Sequence, residues 1–169
     1  MSTLEIHQFP CLDDNYGYLI HDTASGLTAT IDTPEVDAIN AALKEKNWSL
    51  DFIFNTHHHH DHAGGNLELK AQTQCEIIGP AADIDRIPGI DRAVGEGDTV
   101  MLGNWVFQVH DTPGHTRGHI VFHCAEAAVG FVGDTLFALG CGRLFEGTPE
   151  QMWHSLQKLL SWPDQTLIY

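Results

Sequence analysis

Thr56-His57-His58-His59-His60-Asp61-His62-Ala63-Gly64-Gly65 is the stretch on which the reading of this chain turns. The short apolar run Phe52-Ile53-Phe54 leads straight into it, and a helical pattern to about Gln74 follows it, so the histidines lie at a strand-to-helix junction. His57 and His59 are two positions apart and can approach one cation from an extended or tightly turning loop, unlike the i, i+4 pair of a helical site. Asp61 and His62 follow as one oxygen and one nitrogen donor, a mixture preferred by zinc and other borderline divalent metals. Four such donors within six residues invite two metals. The plain alternative is a polar loop or a loose His tract. The strand before, the Gly-Gly after and the interrupting aspartate argue against it.

Upstream, Tyr16–Asp22 and Leu27–Thr33 read as two strands joined by the turn-rich Thr23-Ala24-Ser25-Gly26, as in a hairpin. Val36, Ile39, Ala42 and Leu43 recur at helical spacing and predict an amphipathic helix over 35–46, with Trp48 packed near its end. Downstream, Cys75–Ile78 reads as a strand, followed by a connection punctuated by Pro80, Pro88 and Gly89. Val100–Leu102 and Trp105–His110 flank Gly103-Asn104 as a second hairpin, and His119–Cys124 and Ala128–Val132 supply two further strands. Thr148-Pro149-Glu150-Gln151 carries the signature of a capped helix start, and Met152, Trp153, Leu156, Leu159 and Leu160 give that helix an apolar face. Thr166–Tyr169 reads as a strand with no cap or turn after it, as though cut short. Hairpins mixed with β-helix-β alternation predict a layered α/β architecture, two sheets with helices outside, in one domain over residues 1–169.

Composition narrows the chemistry. The formal charge of −15, from 8 basic and 23 acidic residues, argues against a nucleic-acid partner, which needs clustered Lys and Arg. No basic start followed by an apolar stretch opens the sequence and no long apolar run follows, so neither an export signal nor a membrane span is expected. The four cysteines show no C-x-x-C spacing and read as reduced thiols of a cytoplasmic protein, for which a monomer is expected. Twelve histidines exceed what this length usually carries, and His is the commonest metal-binding side chain.

Two more donors stand further along, His115 in Thr112-Pro113-Gly114-His115-Thr116-Arg117-Gly118-His119 and Asp134 in Gly133-Asp134-Thr135. Either alone reads as a capping or solvent-facing loop residue. Together with Asp32 in Ile31-Asp32-Thr33 and the opening motif, they occur in the order of the metallo-β-lactamase superfamily, which the chain resembles over nearly its full length. Within it, the stretches THHHHDHAGG (56–65), TPGHTRGH (112–119) and GDTLFALGCGRLFEGT (133–148) look most like the glyoxalase II, or hydroxyacylglutathione hydrolase, family.

That resemblance implies an αββα sandwich of two mixed β-sheets flanked by helices. It implies one divalent metal on His57, His59 and His115 and another on Asp61 and His62, with Asp134 and a hydroxide bridging them. Zinc is expected, with iron or manganese as alternatives. Asp61 and Asp134 are then the catalytic carboxylates, and Asp32 supports a ligand from behind. The implied substrate is a small glutathione thioester, S-2-hydroxyacylglutathione such as S-D-lactoylglutathione, hydrolysed to a 2-hydroxy acid (D-lactate) and glutathione. Arg143, one of only four arginines, would bind the glutathione carboxylate or backbone, and Phe145 stands where the family often has a tyrosine. His58 and His60 fall on variable positions of the motif and are assigned to solvent or to supporting contacts, His119 lies beside the site, and Asn15 and Tyr16 shape its floor. Full-length members continue with a further metal-binding histidine and a helical C-terminal domain that this sequence does not contain. Two rival readings are a glutathione persulfide dioxygenase with a single iron and a catalytically weak metal-binding fragment; the GRLFEGT stretch favours the hydrolase.

Overall fold

Parallel neighbours in a sheet need a crossover, and antiparallel neighbours only a turn; this chain uses both. In the computed structural model, which describes residues 2–169, β1 (Leu4–Cys11) and β2 (Asn15–Asp22) pair antiparallel, and β2 pairs antiparallel with β3 (Thr28–Ile31). From β3 the sheet runs parallel through β4 (Phe52–Phe54), β5 (Glu76–Pro80) and β6 (Arg92–Val94), in the order β1-β2-β3-β4-β5-β6. Helix α1 (Val36–Lys46) makes the first crossover, and α2 (His60–Ala63) with α3 (Asn66–Thr73) makes the second. The second sheet has the order β11-β10-β9-β8-β7, built from β7 (Thr99–Leu102), β8 (Trp105–Asp111), β9 (Ile120–Cys124), β10 (Val129–Phe131) and β11 (Leu167–Ile168). It is antiparallel except for the β10–β11 pair, whose crossover contains α4 (Pro149–Leu159).

The two sheets face each other across one apolar layer. Ile20, Ile31, Phe54 and Ile78 of the first meet Phe107, Phe122 and Phe131 of the second, with the Phe54 ring 5.9 Å from Phe107 and 5.4 Å from Phe122. Central strands β3 to β5 are buried almost throughout because α1 and α3 cover their other face: Ile39, Leu43 and Leu69 pack on Leu19, Ile53 and Ile77. On the far side, Leu159 of α4 and Trp162 cover Val121 and Val132. The result is the expected αββα sandwich.

Most expected elements are present within a residue or two, including the box that starts α4, where Thr148 Oγ1 accepts from the Gln151 backbone N–H and the Gln151 side-chain Oε1 accepts from the Thr148 backbone N–H. Two strands lay outside the sequence reading. β1 is an edge strand whose burial alternates only near its end and which contains Pro10, tolerable there because one side of an edge strand needs no ladder donor. β6 has three residues, two of them exposed, and no hydrophobic period to reveal it.

Asp22, buried at the end of β2, ties the two sheets together. It accepts from the Ser2 hydroxyl, the Ser25 hydroxyl (2.7 Å) and the Ala24 N–H (3.1 Å), and across the interface from the Asn104 N–H and Trp105 Nε1–H, each 3.3 Å away. Residue 103 must be glycine for this approach: its φ is +57° and a Cβ would fall 2.0 Å from an Asp22 oxygen. Burial pushes the Asp22 carboxyl up, but the hydrogen bonds from Ser2, Ser25, Ala24 and Asn104 outweigh it and hold the group well below its ordinary 3.8. A depressed folded-state pKa contributes stability that is present above the unfolded value and drains as pH falls through the folded one. Asp22→Asn is therefore expected to lower the unfolding temperature at pH 7 and to flatten its decline below about pH 4. Thermal unfolding of both chains across the acid range checks this; parallel acid limbs would refute it.

Candidate metal centre

Each donor sits on a loop leaving a strand: Asp32 after β3, His57 to His62 after β4, His115 and His119 between β8 and β9, and Asp134 after β10. Pairing within the two sheets brings these loops to one edge of the sandwich. Asp61 and His62 lie on the short helical turn α2 rather than on an open loop, so the motif changes from extended to helical backbone between His59 and His60.

Three ring nitrogens converge. His59 Nδ1 lies 3.0 Å from His57 Nε2 and 2.9 Å from His115 Nε2, and one donor atom from each of these residues falls within 4.8 Å of the others. The hydrogen bonds behind them set the tautomers. His115 Nδ1 is 2.8 Å from the Arg143 carbonyl, which can only accept, so Nδ1 carries the proton and Nε2 a free lone pair. Thr56 Oγ1 donates to Asp32 at 2.7 Å, which leaves it to accept from His57 Nδ1 at 3.0 Å and again frees Nε2. Two lone pairs aimed at the one His59 nitrogen between them are a poor arrangement without a cation and a good one with it.

A second set lies alongside. His62 Nδ1 donates to Asp32 Oδ2 at 2.8 Å, and His62 Nε2 is 3.2 Å from Asp134 Oδ1 and 3.7 Å from Asp61 Oδ2. The other Asp134 oxygen is 3.1 Å from His115 Nε2, so this one carboxylate spans the two sets with an oxygen toward each. Burial, and then the neighbouring imidazoles, push His57 and His59 down and keep them neutral, the form that binds a metal. Burial works the same way on His62, but Asp32 and Asp134 overcome it and raise His62 to about 10. Burial likewise raises Asp134, yet its hydrogen bond to His62 and the surrounding imidazoles bring it below the usual carboxylate range. The carboxylates thus favour positive charge at the position where a second cation would stand.

His119, which the sequence placed beside the site, is fully buried behind it. Its Nε2 accepts the Asp134 backbone N–H at 3.1 Å, and its Nδ1 lies 2.9 Å from Thr112 Oγ1 and 3.2 Å from Thr135 Oγ1. Burial drives its pKa down to about 3, so it stays a neutral acceptor. The preceding Gly133 has φ +46°, and a Cβ there would fall 2.8 Å from both His119 Nε2 and Thr56 Oγ1. Asp134 is therefore aimed from its backbone as well as its side chain.

Asp61 is half-exposed, with Asn15 Nδ2 3.4 Å from its Oδ2. Arg143 is exposed, its guanidinium 5.4 Å from the Phe145 ring, and that ring stands edge-on to His59 and His115 at 5.4 and 5.2 Å. These residues line an open cavity of about 890 Å³, together with Tyr16, Tyr18, Phe137 and Cys141. Of the expected site residues, all but His57 line this cavity; His57 is fully buried and joins the others through its Nε2. The sequence reading did not single out Asp83, Arg86 or Glu146, which pack against His58 behind the site; the only available signal was an Asp and an Arg three apart in a connection without periodicity.

Two facing sheets that bring His and Asp donors to the loops of one edge define the metal-dependent αββα class, and this cluster is a candidate divalent-metal site of that class. A profile of the Metallo-beta-lactamase superfamily matches residues 15–169, and the chain belongs to that superfamily. It is 56% identical over 169 residues to a hydroxyacylglutathione hydrolase of Maricaulis maris, covering 100% of this chain and 66% of that protein. It is 55% identical over 166 residues to one of Hyphomonas neptunium, covering 98% and 65%. The chain thus spans about two-thirds of the length of these relatives. Among solved structures it is similar to ETHE1 from Myxococcus xanthus, with a TM-score of 0.85 and 32% identity over 98% of this chain and 74% of that one. Among the described residues, no helix is long and apolar enough to cross a membrane.

Proposed function

We propose that this chain is the metal-holding part of a thioester hydrolase acting on S-2-hydroxyacylglutathione, with S-D-lactoylglutathione as reference substrate and a 2-hydroxy acid and glutathione as products. The observation that carries the proposal is the Asp134 carboxylate spanning a three-histidine set and His62 beside an open cavity; the names of the relatives support it. The donors fit divalent metals: His57, His59 and His115 would hold one ion, Asp61 and His62 a second, with Asp134 shared. Neutral imidazole and carboxylate donors suit zinc best, with iron or manganese as alternatives. When bound, such ions supply a water acidic enough to attack at neutral pH and a positive charge that polarises the thioester carbonyl.

The chain's own residues do the rest. Asp134 and Asp61 contribute the carboxylates beside the reacting atoms, His119 holds the Asp134 backbone, and Asp32 holds His62 and, through Thr56, His57. Arg143 offers the cationic contact an anionic glutathione needs in a chain of charge −15. Phe145, against His59 and His115, and Tyr16 offer apolar surface on the wall of the cavity for the substrate to pack on. A thiolate leaves readily, so no strong general acid is required. Four unpaired cysteines suit a reducing cytoplasm, and we take the protein to be a monomer there.

The test is elemental analysis of the purified chain beside its hydrolysis of S-D-lactoylglutathione. Near two metals per chain and turnover that a chelator abolishes are expected. One iron with oxygen consumption on glutathione persulfide would replace this reading with the dioxygenase one, and a metal-replete chain without turnover would leave a metal-binding module.

A further inference from the structure

We propose that Asp83, Arg86 and Glu146 form a positioning relay that couples the loop carrying Arg143 and Phe145 to the metal-binding loop, with His58 as its contact on the metal side. The proposal rests on the metal reading above. Asp83 is fully buried in the connection between β5 and β6, a segment that supplies none of the proposed metal donors. One of its oxygens accepts from Arg86 Nε (3.1 Å) and Arg86 Nη2, and the other pairs with His58 Nδ1 at 3.1 Å. On its other side the same guanidinium reaches both Glu146 oxygens, Nη1 to Oε1 at 2.5 Å and Nη2 to Oε2 at 3.2 Å, and Nη1 lies 3.3 Å from His58 Nε2. Glu146 Oε2 also accepts the Arg117 N–H at 2.8 Å.

The placement of these contacts gives them their consequence. His58 stands between His57 and His59, so fixing its ring fixes the backbone from which both project. Glu146 follows Phe145 and lies three residues after Arg143, whose carbonyl holds His115 Nδ1. The loop that would receive the substrate and the rings that would receive the metal therefore share one guanidinium, at a distance from both. Exposed ion pairs contribute little, but this one is built on a carboxylate removed from water and on a fork that faces two carboxylates at once, the geometry for which arginine and not lysine is suited. Close packing supports it: a Cβ on Gly118 would fall 2.3 Å from Asp83.

The zinc-loaded chain and three variants test this. Glu146→Gln keeps the Asp83–Arg86 pair and so the fold, His58→Ala cuts the metal-side contact, and Arg86→Lys keeps a cation beside Asp83 but not the fork. Zinc affinity is read by chelator competition, loop order by hydrogen exchange of amides 143–147, and substrate handling by KM and kcat on S-D-lactoylglutathione. Glu146→Gln is expected to speed exchange at 143–147, to raise KM more than it lowers kcat, and to weaken zinc binding about 10-fold although Glu146 touches no metal, the low end of the range for groups that orient ligands. Arg86→Lys should weaken zinc binding as much, and Glu146→Gln combined with His58→Ala should lose less than the product of the two single effects. If Glu146→Gln lowers only the unfolding temperature, or if the double variant multiplies the single effects, the relay is wrong. A chain that hydrolyses no thioester would remove the substrate reading, while zinc affinity and exchange would still decide the relay.

Discussion

His59→Ala is expected to lower thioester hydrolysis by at least ~10³-fold, about 4 kcal/mol of barrier, while leaving the unfolding temperature of the metal-free chain nearly unchanged. His57→Ala should lose the activity and stability together. The difference follows from what each ring touches. His59 is half-buried, and among the described residues its Nδ1 meets only His57 and His115, with Phe145 edge-on to the ring. Without metal those nitrogen contacts are lone pairs facing lone pairs or shared protons, and removing one relieves as much as it loses. His57 is fully buried, with its ring 4.1 Å from His62 and 4.8 Å from His119, and its Nδ1 hydrogen-bonds Thr56. Cutting it to a methyl leaves a cavity and takes from the Thr56 hydroxyl the hydrogen bond it accepts, at a cost of about 3 kcal/mol. For a chain of this length that corresponds to roughly 6–12 °C of unfolding temperature. Calorimetry in chelator beside hydrolysis in saturating zinc separates the two effects; equal unfolding temperatures for the variants would show that His57 serves the metal alone.

How far the sequence could be read depended on whether the signal was local. The His57–His62 motif, the capped start of α4 at Thr148 and the Gly103-Asn104 hairpin each rest on a few adjacent residues, and the structure contains all three, with the helix after the motif beginning earlier, at His60. The sandwich was legible because hairpins are mixed with β-helix-β alternation along the chain, and the structure then buries β3, β4 and β5 on both faces while β8 alternates. The convergence of His115 and Asp134 on the motif was visible only through the family resemblance, since neither loop alone distinguishes a ligand from a cap. The supporting layer was harder. The acceptance of the Asp134 N–H by His119, and the Asp83–Arg86–Glu146 network, bring together residues that are 15 and 60 positions apart, and no period or motif records such pairings. β6 was invisible for a related reason: its pairing with β5 is decided by the sheet beside it and not by its own three residues.

Asp32 carries the largest expected effect among residues outside the proposed ligand set. Its two oxygens receive the Thr56 N–H and the Thr56 hydroxyl, each at 2.7 Å, and His62 Nδ1 at 2.8 Å, so it orients a ring in each half of the site. It does this from φ +58°, a left-handed backbone that an aspartate tolerates better than most residues. Asp32→Ala removes the acceptor for three buried donors and is expected to cost about 3–5 kcal/mol and to weaken metal binding by roughly 10–100-fold. Asp32→Gly removes the same acceptor but relieves the backbone, so it is expected to be more stable than Asp32→Ala by about 1 kcal/mol. That reverses the usual order, in which glycine is the worse substitute because its unfolded chain is freer. Denaturant midpoints of the two variants in chelator, with zinc affinity measured beside them, decide the matter. If glycine is the less stable, the backbone at residue 32 is not under strain and the whole cost lies in the lost hydrogen bonds. If alanine is, the chain has accepted a strained turn to bring one carboxylate behind both rings at once.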